Sequence, residues 1–412
     1  MKYDIFFSIS QTPVDGYTPT EDVMFRNFFD QVAVADELGF GVAWIAESHL
    51  SSQVQKETSR PVIPHWQGEV GLNVDIAQLA HQVFAKTSRI EVGSAIMNIL
   101  CNGGPIAAAE KIACFAALHG LDPKEQRKLH VGFAAGRFDF MNRAYGVDAR
   151  NPVEMAAWRS VKGKVFAEAA EIFLRLLKGE VLSSDQIEAP TLSRADFRSD
   201  DDWQKVLEAH GGEVDSIELA RRWEFEKLKI IPQAFRKELL QLVVGSHDPG
   251  LQEKVQEWAP VQVFNLSITS PEIIEKTHER LAKAYHVDGG AWERGHMPRT
   301  VFVFINEQAG LSDDEKRAKA QEEARLALGT YWTALEGTLD PAKVEKAAHN
   351  ALIGNAGDIA LQMVERFHPD DRLMLWFDFF NHDNERVMNN MRAFMEHVPK
   401  KVEALMKERE AG

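Results

Sequence analysis

Three consecutive polar residues, Glu47, Ser48 and His49, are the clearest candidates for chemistry in this sequence, because they directly follow the apolar run VAWIA. A carboxylate, a hydroxyl and an imidazole can hold protons or orient a bound molecule by hydrogen bonding. At the end of a buried strand such groups can face a pocket without being buried among aliphatic side chains. A strand-end histidine can equally be structural, and a glutamate there can pair with a cation or accept backbone N–H groups. We take His49 as the best candidate for a polar catalytic role.

Two further apolar runs also end in small or polar residues. One ends at Met97 and Asn98 and leads into CNGGP, and the other, HVGF, leads into Ala134, Ala135 and Arg137. Small residues at these ends leave space for a flat ligand, and the Asn98 amide could hydrogen-bond a heteroaromatic edge. A tight turn before a helix explains the glycines as well.

The run LLQLVV ends in Gly245, Ser246 and His247 just before a predicted helix. Backbone N–H groups and a serine hydroxyl at a helix start form an anion site that a phosphate can use. An ordinary N-cap by Ser246 or Asp248 explains the same residues equally well.

The elements that position these residues repeat a unit of strand followed by helix. Strand-like runs occur at 3–10, 42–46, 90–99, 128–136, 239–246, 261–269, 299–306 and 372–380. Eight apolar strands separated by helices predict one α/β domain over 1–412, a closed (β/α)8 TIM barrel with active sites at the carboxyl ends of its strands. A doubly wound open sheet is the competing arrangement. Since such a barrel takes about 250 residues, we expect insertions at 51–70, 150–228 and 307–352.

Composition argues against several classes of function. The 412 residues carry a net charge of −15, which opposes binding to a nucleic-acid backbone. Two cysteines are too few for a disulfide framework, and no histidine spacing around them indicates zinc. We find neither a signal peptide nor an apolar window of about 20 residues. We therefore expect a cytoplasmic enzyme with no nucleic-acid or membrane partner.

Three blocks carry a resemblance to a known family: GFGVAWIAESHL at 39–50, SRIEVGSAIMNILCNGGPIAAAEKIACFAAL at 88–118 and LHVGFAAGRFDFMNRAYGVD at 129–148. Together with the tail, LIGNAGDIALQMVERF and RLMLWFDFF, they resemble the bacterial luciferase-like flavin monooxygenases. The resemblance implies a (β/α)8 barrel that binds reduced FMN, reacts it with O2 to a flavin C4a-(hydro)peroxide and oxygenates a small organic substrate. It also implies an NAD(P)H-dependent flavin reductase as the source of reduced FMN, and a homodimer.

The correspondence at the catalytic positions is mixed. The luciferases proper have Glu-His-His after the second strand, with the first histidine as a base, so Ser48 stands in the place of that base. This departure argues against aldehyde oxidation with light emission. Ala134 and Ala135 stand where the luciferases carry a cysteine and an arginine, and Arg137 is the candidate replacement for that cation.

Other positions are similar to the family. The end of strand three matches the segment beside the flavin ring, and the turn after strand five matches the phosphate-binding turn. Trp376, on the last strand, is expected to pack against the flavin, to floor the pocket or to lie in the core. His65 and Trp66, in a lid formed by 51–70 and 307–352, are the predicted substrate contacts. The predicted cofactor-binding residues are Met97, Asn98, Ala134, Ala135, Arg137, Gly245, Ser246, His247 and Trp376.

Four hypotheses follow. The leading one is a two-component, reduced-FMN-dependent monooxygenase. The second keeps the barrel but uses the deazaflavin F420 for hydride transfer, although this acidic sequence offers no large basic patch for the polyglutamate tail of that cofactor. The third is a metal-dependent hydrolase using Asp378, His382 and Asp383, although no His-x-His occurs on the first strand. The fourth is a catalytically idle flavin-binding protein, because small residues replace the luciferase groups.

Overall fold

The computed structural model describes residues 1–411. The strands are β1 (Lys2–Phe7), β2 (Val42–Ile45), β3 (Glu91–Ser94), β4 (Met97–Asn98), β5 (Leu129–Ala134), β6 (Thr191–Ser193), β7 (Ser216–Glu218), β8 (Leu240–Val244), β9 (Val261–Val263), β10 (Arg299–Ile305), β11 (Leu352–Gly354) and β12 (Arg372–Trp376). The α-helices are α1 (Glu21–Leu38), α2 (Ser52–Gln55), α3 (Ile76–Lys86), α4 (Gly104–His119), α5 (Asp139–Ala144), α6 (Pro152–Ala156), α7 (Trp158–Lys178), α8 (Asp200–His210), α9 (Pro249–Lys254), α10 (Pro271–Ala284), α11 (Asp313–Glu336), α12 (Pro341–Ala348), α13 (Ala356–Arg366) and α14 (Asn384–Ala411). No helix within the described residues is long and apolar enough to span a bilayer.

Eight parallel strands form a ring in the order β10, β12, β1, β2, β3, β5, β8, β9. The ring closes between β9 and β10 through Asn265, whose N–H donates to the Pro298 carbonyl at 2.8 Å and whose carbonyl accepts from the Thr300 N–H at 3.1 Å. Farther along β10, β11 pairs with it in parallel. The predicted closed barrel is therefore confirmed, and the open doubly wound sheet is wrong.

Alternate side chains of the strands fill the barrel interior. Trp44 lies across Gly93, where a Cβ would come within 2.5 Å of the indole. The buried Asp4 carboxylate accepts hydrogen bonds from Trp44 Nε1 at 2.7 Å and from Arg372 Nε at 2.6 Å. The core thus combines an aromatic plug with an ion pair that ties β1 to β2 and β12. The buried apolar residues of this interior are Phe6, Val42, Trp44, Val243, Phe264 and Met374.

The region 150–228 contributes both to the barrel and to an added layer. In α7, Phe166 and Phe173 pack against Phe133 of β5, at ring-centroid distances of 6.3 and 5.3 Å. This helix therefore belongs to the ring of helices around the barrel. The added layer follows it and contains β6, β7 and α8.

The strands are shorter than the predicted runs, and three of the differences matter for the mouth of the barrel. The third divides into β3 and β4 at a bend after Ser94. The sixth is shortened to β9, because the chain turns where the Thr269 N–H donates to the Leu266 carbonyl at 3.0 Å. The eighth ends at Trp376, so Asp378 lies in the loop beyond the strand. These loops follow the strand ends that form the mouth of the barrel.

Candidate functional site

The polar residues after β2 form a buried pair at the carboxyl end of the barrel. His49 Nε2 lies 3.1 Å from Glu47 Oε1, and the two side chains are 5% and 3% exposed. With Nε2–H donated to the carboxylate, Nδ1 is the acceptor of the neutral ring. Ser48 is buried beside them, and its backbone N–H donates to the Asn73 carbonyl at 2.9 Å. The structure thus brings two of the three predicted catalytic residues into one hydrogen-bonded unit.

Asn73 holds the segment after β2 in place. Its Nδ2 donates to the Ala46 carbonyl at 3.1 Å, and its Oδ1 accepts from the Asp75 N–H at 3.2 Å. We expect Asn73→Ala to lower the free energy of unfolding by about 1–3 kcal/mol, because buried backbone groups lose their partners. Urea denaturation measures this change, with Asn389→Ala at an exposed position of α14 as the control. Equal losses in the two variants would contradict the role of Asn73.

Asn98 lies at the mouth as predicted, but the protein itself uses its amide. Nδ2 donates to Asn142 Oδ1 at 2.7 Å, and Oδ1 accepts from the Leu100 N–H at 3.0 Å. Asn142 in turn donates to the Ala135 carbonyl at 2.9 Å. Gly136 has to be glycine here, because a Cβ would lie 2.1 Å from Asn98 Nδ2. The amide therefore braces the loop after β5, which leaves one N–H of Nδ2 and one lone pair of Oδ1 for a ligand.

Cys101 lies close to the Glu47 carboxylate and was not among the predicted site residues. Its Sγ–H donates to the Asn98 carbonyl at 3.4 Å. Burial, and to a lesser extent the Glu47 charge, raises the pKa of the Cys101 thiol to about 12. The thiol stays protonated at neutral pH, and we assign it no nucleophilic role.

Small residues line the β5 and β8 side of the mouth. Gly245 follows β8, and a Cβ on it would lie 2.3 Å from Ile96 Cδ1 and 3.3 Å from Ala134 Cβ. Arg137 is exposed, and its guanidinium donates to the Tyr331 hydroxyl of α11 at 3.5 Å. Arg137 therefore links the loop after β5 to the second insertion of the predicted lid.

The turn after β8 is organised around an N-cap. Asp248 Oδ1 accepts from the Gly250 N–H at 2.9 Å, and the Ser246 hydroxyl accepts from the Asp248 N–H at 3.1 Å. The helix that follows, α9, has six residues. His247 is exposed at the turn. The N-cap is thus formed by Asp248, and the phosphate role of this turn stays a prediction.

An aromatic wall closes the mouth on the β10 and β12 side. Trp376, predicted to pack against the flavin, to floor the pocket or to lie in the core, lies in this wall at ring-centroid distances of 5.0 Å from Phe302 and 4.8 Å from Phe379. Tyr331 continues the contacts to Trp66 at 6.4 Å. The aromatic wall is defined by Trp66, Phe302, Tyr331, Trp376, Phe379 and Phe380.

The two predicted substrate contacts lie in different environments. Trp66 is buried in the aromatic wall, 6.0 Å from the Phe380 ring. His65 is exposed and packs on Gly337, where a Cβ would lie 2.6 Å from the imidazole. His65 therefore contacts the end of α11 on the outer side of the wall.

A buried carboxylate lies at the end of β12. Asp378 Oδ2 accepts from the Ser8 N–H at 3.2 Å and from the Ser8 hydroxyl at 3.3 Å. Within residues 1–411, neither Asp378 Oδ1 nor Trp376 Nε1 makes a hydrogen bond of good geometry, although the indole is close enough to lower the pKa of Asp378. Burial is the larger effect and raises this pKa to about 6. Asp378 can therefore change protonation near neutral pH.

We expect Asp378→Asn to raise the free energy of unfolding at about pH 7.5 by about 2–3 kcal/mol. The folded-state pKa of about 6 lies above the ordinary value of 3.8. The carboxyl therefore stabilises the fold fully below about pH 4, and this contribution is lost as the pH rises through about 6. Urea denaturation across that range measures the difference between the proteins, with the exposed Asp370→Asn as the control. A difference that does not change with pH would contradict the raised pKa.

The residues of the metal hypothesis do not converge. His382 Nε2 donates to the Thr12 carbonyl at 2.7 Å, and Asp383 Oδ1 accepts from the Arg386 N–H at the start of α14. In the described part of the chain, no group of three or more histidine, cysteine, aspartate or glutamate side chains is placed to hold a metal ion. The arrangement of these side chains gives the hydrolase hypothesis no support.

A match to a protein-family model covers the part of the chain that contains the Glu47–His49 pair. A family model described as luciferase-like monooxygenase matches from β1 to the short helical turn after β6. The luciferase-like monooxygenase domain spans residues 1–196. No curated protein matches this sequence.

Solved structures similar to this chain share the fold of the luciferase-like domain. The monooxygenase RslO1 from Streptomyces bottropensis gives a TM-score of 0.65 at 18% identity, with 97% of this chain and 99% of that chain covered. A second structure is the oxygenating constituent of 3,6-diketocamphane monooxygenase from Pseudomonas putida, a type II Baeyer-Villiger monooxygenase in complex with FMN. It gives a TM-score of 0.59 at 13% sequence identity, with 98% of each chain covered. An F420-dependent secondary alcohol dehydrogenase in complex with an F420-acetone adduct gives a TM-score of 0.56 at 13% sequence identity, with 98% of this chain and 99% of that chain covered. At these identities the likeness establishes the fold alone.

The mouth of the barrel fits a flat, polar-edged cofactor. Ile96 and Ala134 lie close to Gly245, and because Gly245 has no side chain, space remains above the backbone on the β5 and β8 side of the mouth. On the opposite side, Asp378 Oδ1 and Trp376 Nε1 are buried polar atoms that a ligand can engage. The residues present are thus compatible with a flavin.

Asp378 and Ser8 were missed as residues of the mouth by sequence reasoning, which named Asp378 only as a metal ligand. Both follow strand ends, as Glu47 does, and the same rule applied to β1 and β12 identifies them. Tyr331 lies in an insertion, and nothing in the sequence places it beside the barrel.

Proposed function

We propose that this chain is a two-component flavin monooxygenase that uses reduced FMN and O2 to oxygenate a small organic substrate. The observation that carries the proposal is the buried Glu47–His49 pair at the carboxyl end of a closed barrel, inside the matched residues 1–196. Two similar structures are described as monooxygenases, and one of them contains FMN, which supports this choice of cofactor.

In such an enzyme, reduced FMN supplies the electrons that activate O2. We assign the ring of the cofactor to the β5 and β8 side of the mouth, next to Met97, Ala134 and Gly245. Its phosphate is assigned to the turn at Ser246 and His247, where backbone N–H groups not used by the N-cap are available to an anion.

His49 and the aromatic wall have separate roles in this proposal. Glu47 accepts Nε2–H and thereby fixes the tautomer of His49, so that Nδ1 can accept a hydrogen bond from substrate or hold a proton there. The aromatic wall excludes water from one side of the mouth, which protects reactive species from wasteful decay.

Anaerobic titration with reduced FMN, followed by rapid mixing with oxygenated buffer, tests the proposal. We expect saturable binding and a transient, oxygen-dependent absorbance change that free reduced FMN does not give. Absence of binding, or oxidation at the rate of free flavin, would overturn the FMN assignment. Oxygen consumption without oxygenated product from any substrate would favour the idle flavin-binding protein.

F420-dependent hydride transfer is the second candidate, because the fold is also shared with an F420-dependent alcohol dehydrogenase. Direct comparison of the dissociation constants for reduced FMN and reduced F420 separates the two. Tighter binding of F420, with hydride transfer in the absence of oxygen, would replace the monooxygenase proposal.

The proposal includes an NAD(P)H-dependent flavin reductase as partner, a homodimer as the assembly and the cytoplasm as the location. Product formation from NAD(P)H and FMN only when a reductase is added would support the two-component arrangement. Light scattering measures the mass of the assembly in solution, and a monomeric mass would contradict the homodimer.

A further inference from the structure

A large groove lies outside the aromatic wall, between the two lid insertions. Its volume is about 730 Å³, and its walls come from α11, α12, Ile353 of β11 and the segments 12–13 and 65–67. Ala324, Ala334 and Val344 are buried along it, whereas Leu326 and Leu339 are exposed at its rim. A concave space of this size matches the range of sites for small molecules.

Two threonine hydroxyls along the groove are already used by the protein. The Thr330 hydroxyl donates to the Leu326 carbonyl at 2.9 Å, and the Thr333 hydroxyl donates to the Gly329 carbonyl at 2.9 Å. Both hydroxyls bond their own helix, so they offer a ligand no free donor. More than half of the other lining residues are apolar, among them Leu326, Leu339 and Val344, so the surface of the groove is mainly apolar.

Charge along the groove is also neutralised or solvated. The Arg325 guanidinium donates to both carboxylate oxygens of Glu322, at 2.8 and 2.6 Å, and Glu345 is exposed on α12. Gln67 accepts from Lys56 Nζ at 2.7 Å. The paired Arg325 therefore offers an anionic ligand no free guanidinium, whereas an apolar molecule gains free energy from the burial of its surface.

One layer of side chains separates the groove from the mouth of the barrel. His65 and Gln67 line the groove, and Trp66 between them contacts Phe380 in the aromatic wall. Tyr331 follows Thr330 along α11 and contacts Phe379 at 5.5 Å. A molecule in the groove therefore lies next to the wall that borders the proposed flavin site.

We propose that this groove binds a neutral, apolar organic molecule. The identity of that molecule rests on the function proposed above: in a flavin monooxygenase it is the substrate on its way to the barrel. His65 then contacts the apolar part of the substrate, and Trp66 and Tyr331 stand between it and the cofactor.

Titration of flavin-free protein with Nile red, a neutral apolar dye, tests the groove. Thr333→Trp fills it, and we expect the dissociation constant to rise at least about tenfold, the equivalent of about 1.4 kcal/mol. Leu339→Glu, at an exposed position on the rim, should raise the dissociation constant of the dye similarly. Ala318→Trp, on an exposed part of α11 outside the groove, is the matched control and should leave binding unchanged.

Competition defines the class of ligand. 1-Decanol should displace Nile red, and decanoate should need an at least about tenfold higher concentration for the same displacement. Stronger displacement by decanoate would overturn the proposal that the ligand is neutral. No saturable dye binding, or equal binding to all variants, would overturn the site. A change of molecular mass in Thr333→Trp would instead show that a second copy covers the groove. Reduced FMN binding to the same variants is measured separately, so failure of the flavin proposal is distinguishable from failure of the groove.

Discussion

Arg222→Met should lower the free energy of unfolding by about 3–5 kcal/mol, because it leaves a buried carboxylate without its cation. Arg222 donates to Glu154 on α6 at 2.6 Å, and the two side chains are 2% and 1% exposed. Its guanidinium also donates to the Asp148 carbonyl at 3.2 Å, and its backbone N–H donates to Glu168. This single residue therefore fastens the segment before β8 to the region after β5.

A double-mutant cycle distinguishes the pair from ordinary packing. Glu154→Leu combined with Arg222→Met should recover more than half of the loss, because neither charge is then left buried alone. Arg325→Met is the control, since the Arg325–Glu322 pair is exposed and worth less than about 1 kcal/mol. Urea denaturation measures the unsubstituted protein, the two single variants, the double variant and the control. A loss in Arg222→Met no larger than in the control would show that the buried pair does not stabilise the fold.

The second large effect concerns His49. If the flavin monooxygenase proposal holds, His49→Ala should reduce oxygenated product per flavin oxidised by about 10- to 150-fold and raise hydrogen peroxide release. The reason is that a hydrogen bond to a charged group, or to an atom that becomes charged during the reaction, is worth about 1.5–3 kcal/mol. Product and peroxide are quantified together after single turnovers with stoichiometric reduced FMN.

Two further variants make this result specific. His49→Gln keeps an N–H that can donate to Glu47 and should recover part of the coupling, which a purely structural defect would not show. His397→Ala, at an exposed position of α14, should behave as the unsubstituted protein. Unchanged coupling in His49→Ala would remove His49 from the mechanism.

The barrel was predictable because its strands are buried on both faces and therefore appear as continuous apolar runs. The same property hides where a strand stops. RLMLWFDFF looks continuous to residue 380, but β12 ends at Trp376, and Asp378 accepts hydrogen bonds from Ser8, which directly follows the neighbouring strand β1. The three-residue strand β11 is too short to carry a period in sequence, and its pairing with β10 is a tertiary event.

The site was predictable only at the level of strand ends. The rule that polar residues there face the mouth identified Glu47 and His49, and the structure pairs them. The rule cannot say which amides are already used, because the partner of Asn98 is Asn142, 44 residues later. The position of Tyr331 depends on how the insertions fold over the barrel, which no local pattern encodes.

The pairing of β1 with β12 sets a constraint on biosynthesis. The Asp4 carboxylate meets Arg372, 368 residues later, so at about 5–20 residues per second roughly 20–70 s pass between the two. During that interval one edge of β1 has no strand beside it, and a free edge invites pairing with other chains. The nascent polypeptide is therefore exposed to edge-to-edge association until its last barrel strand leaves the ribosome.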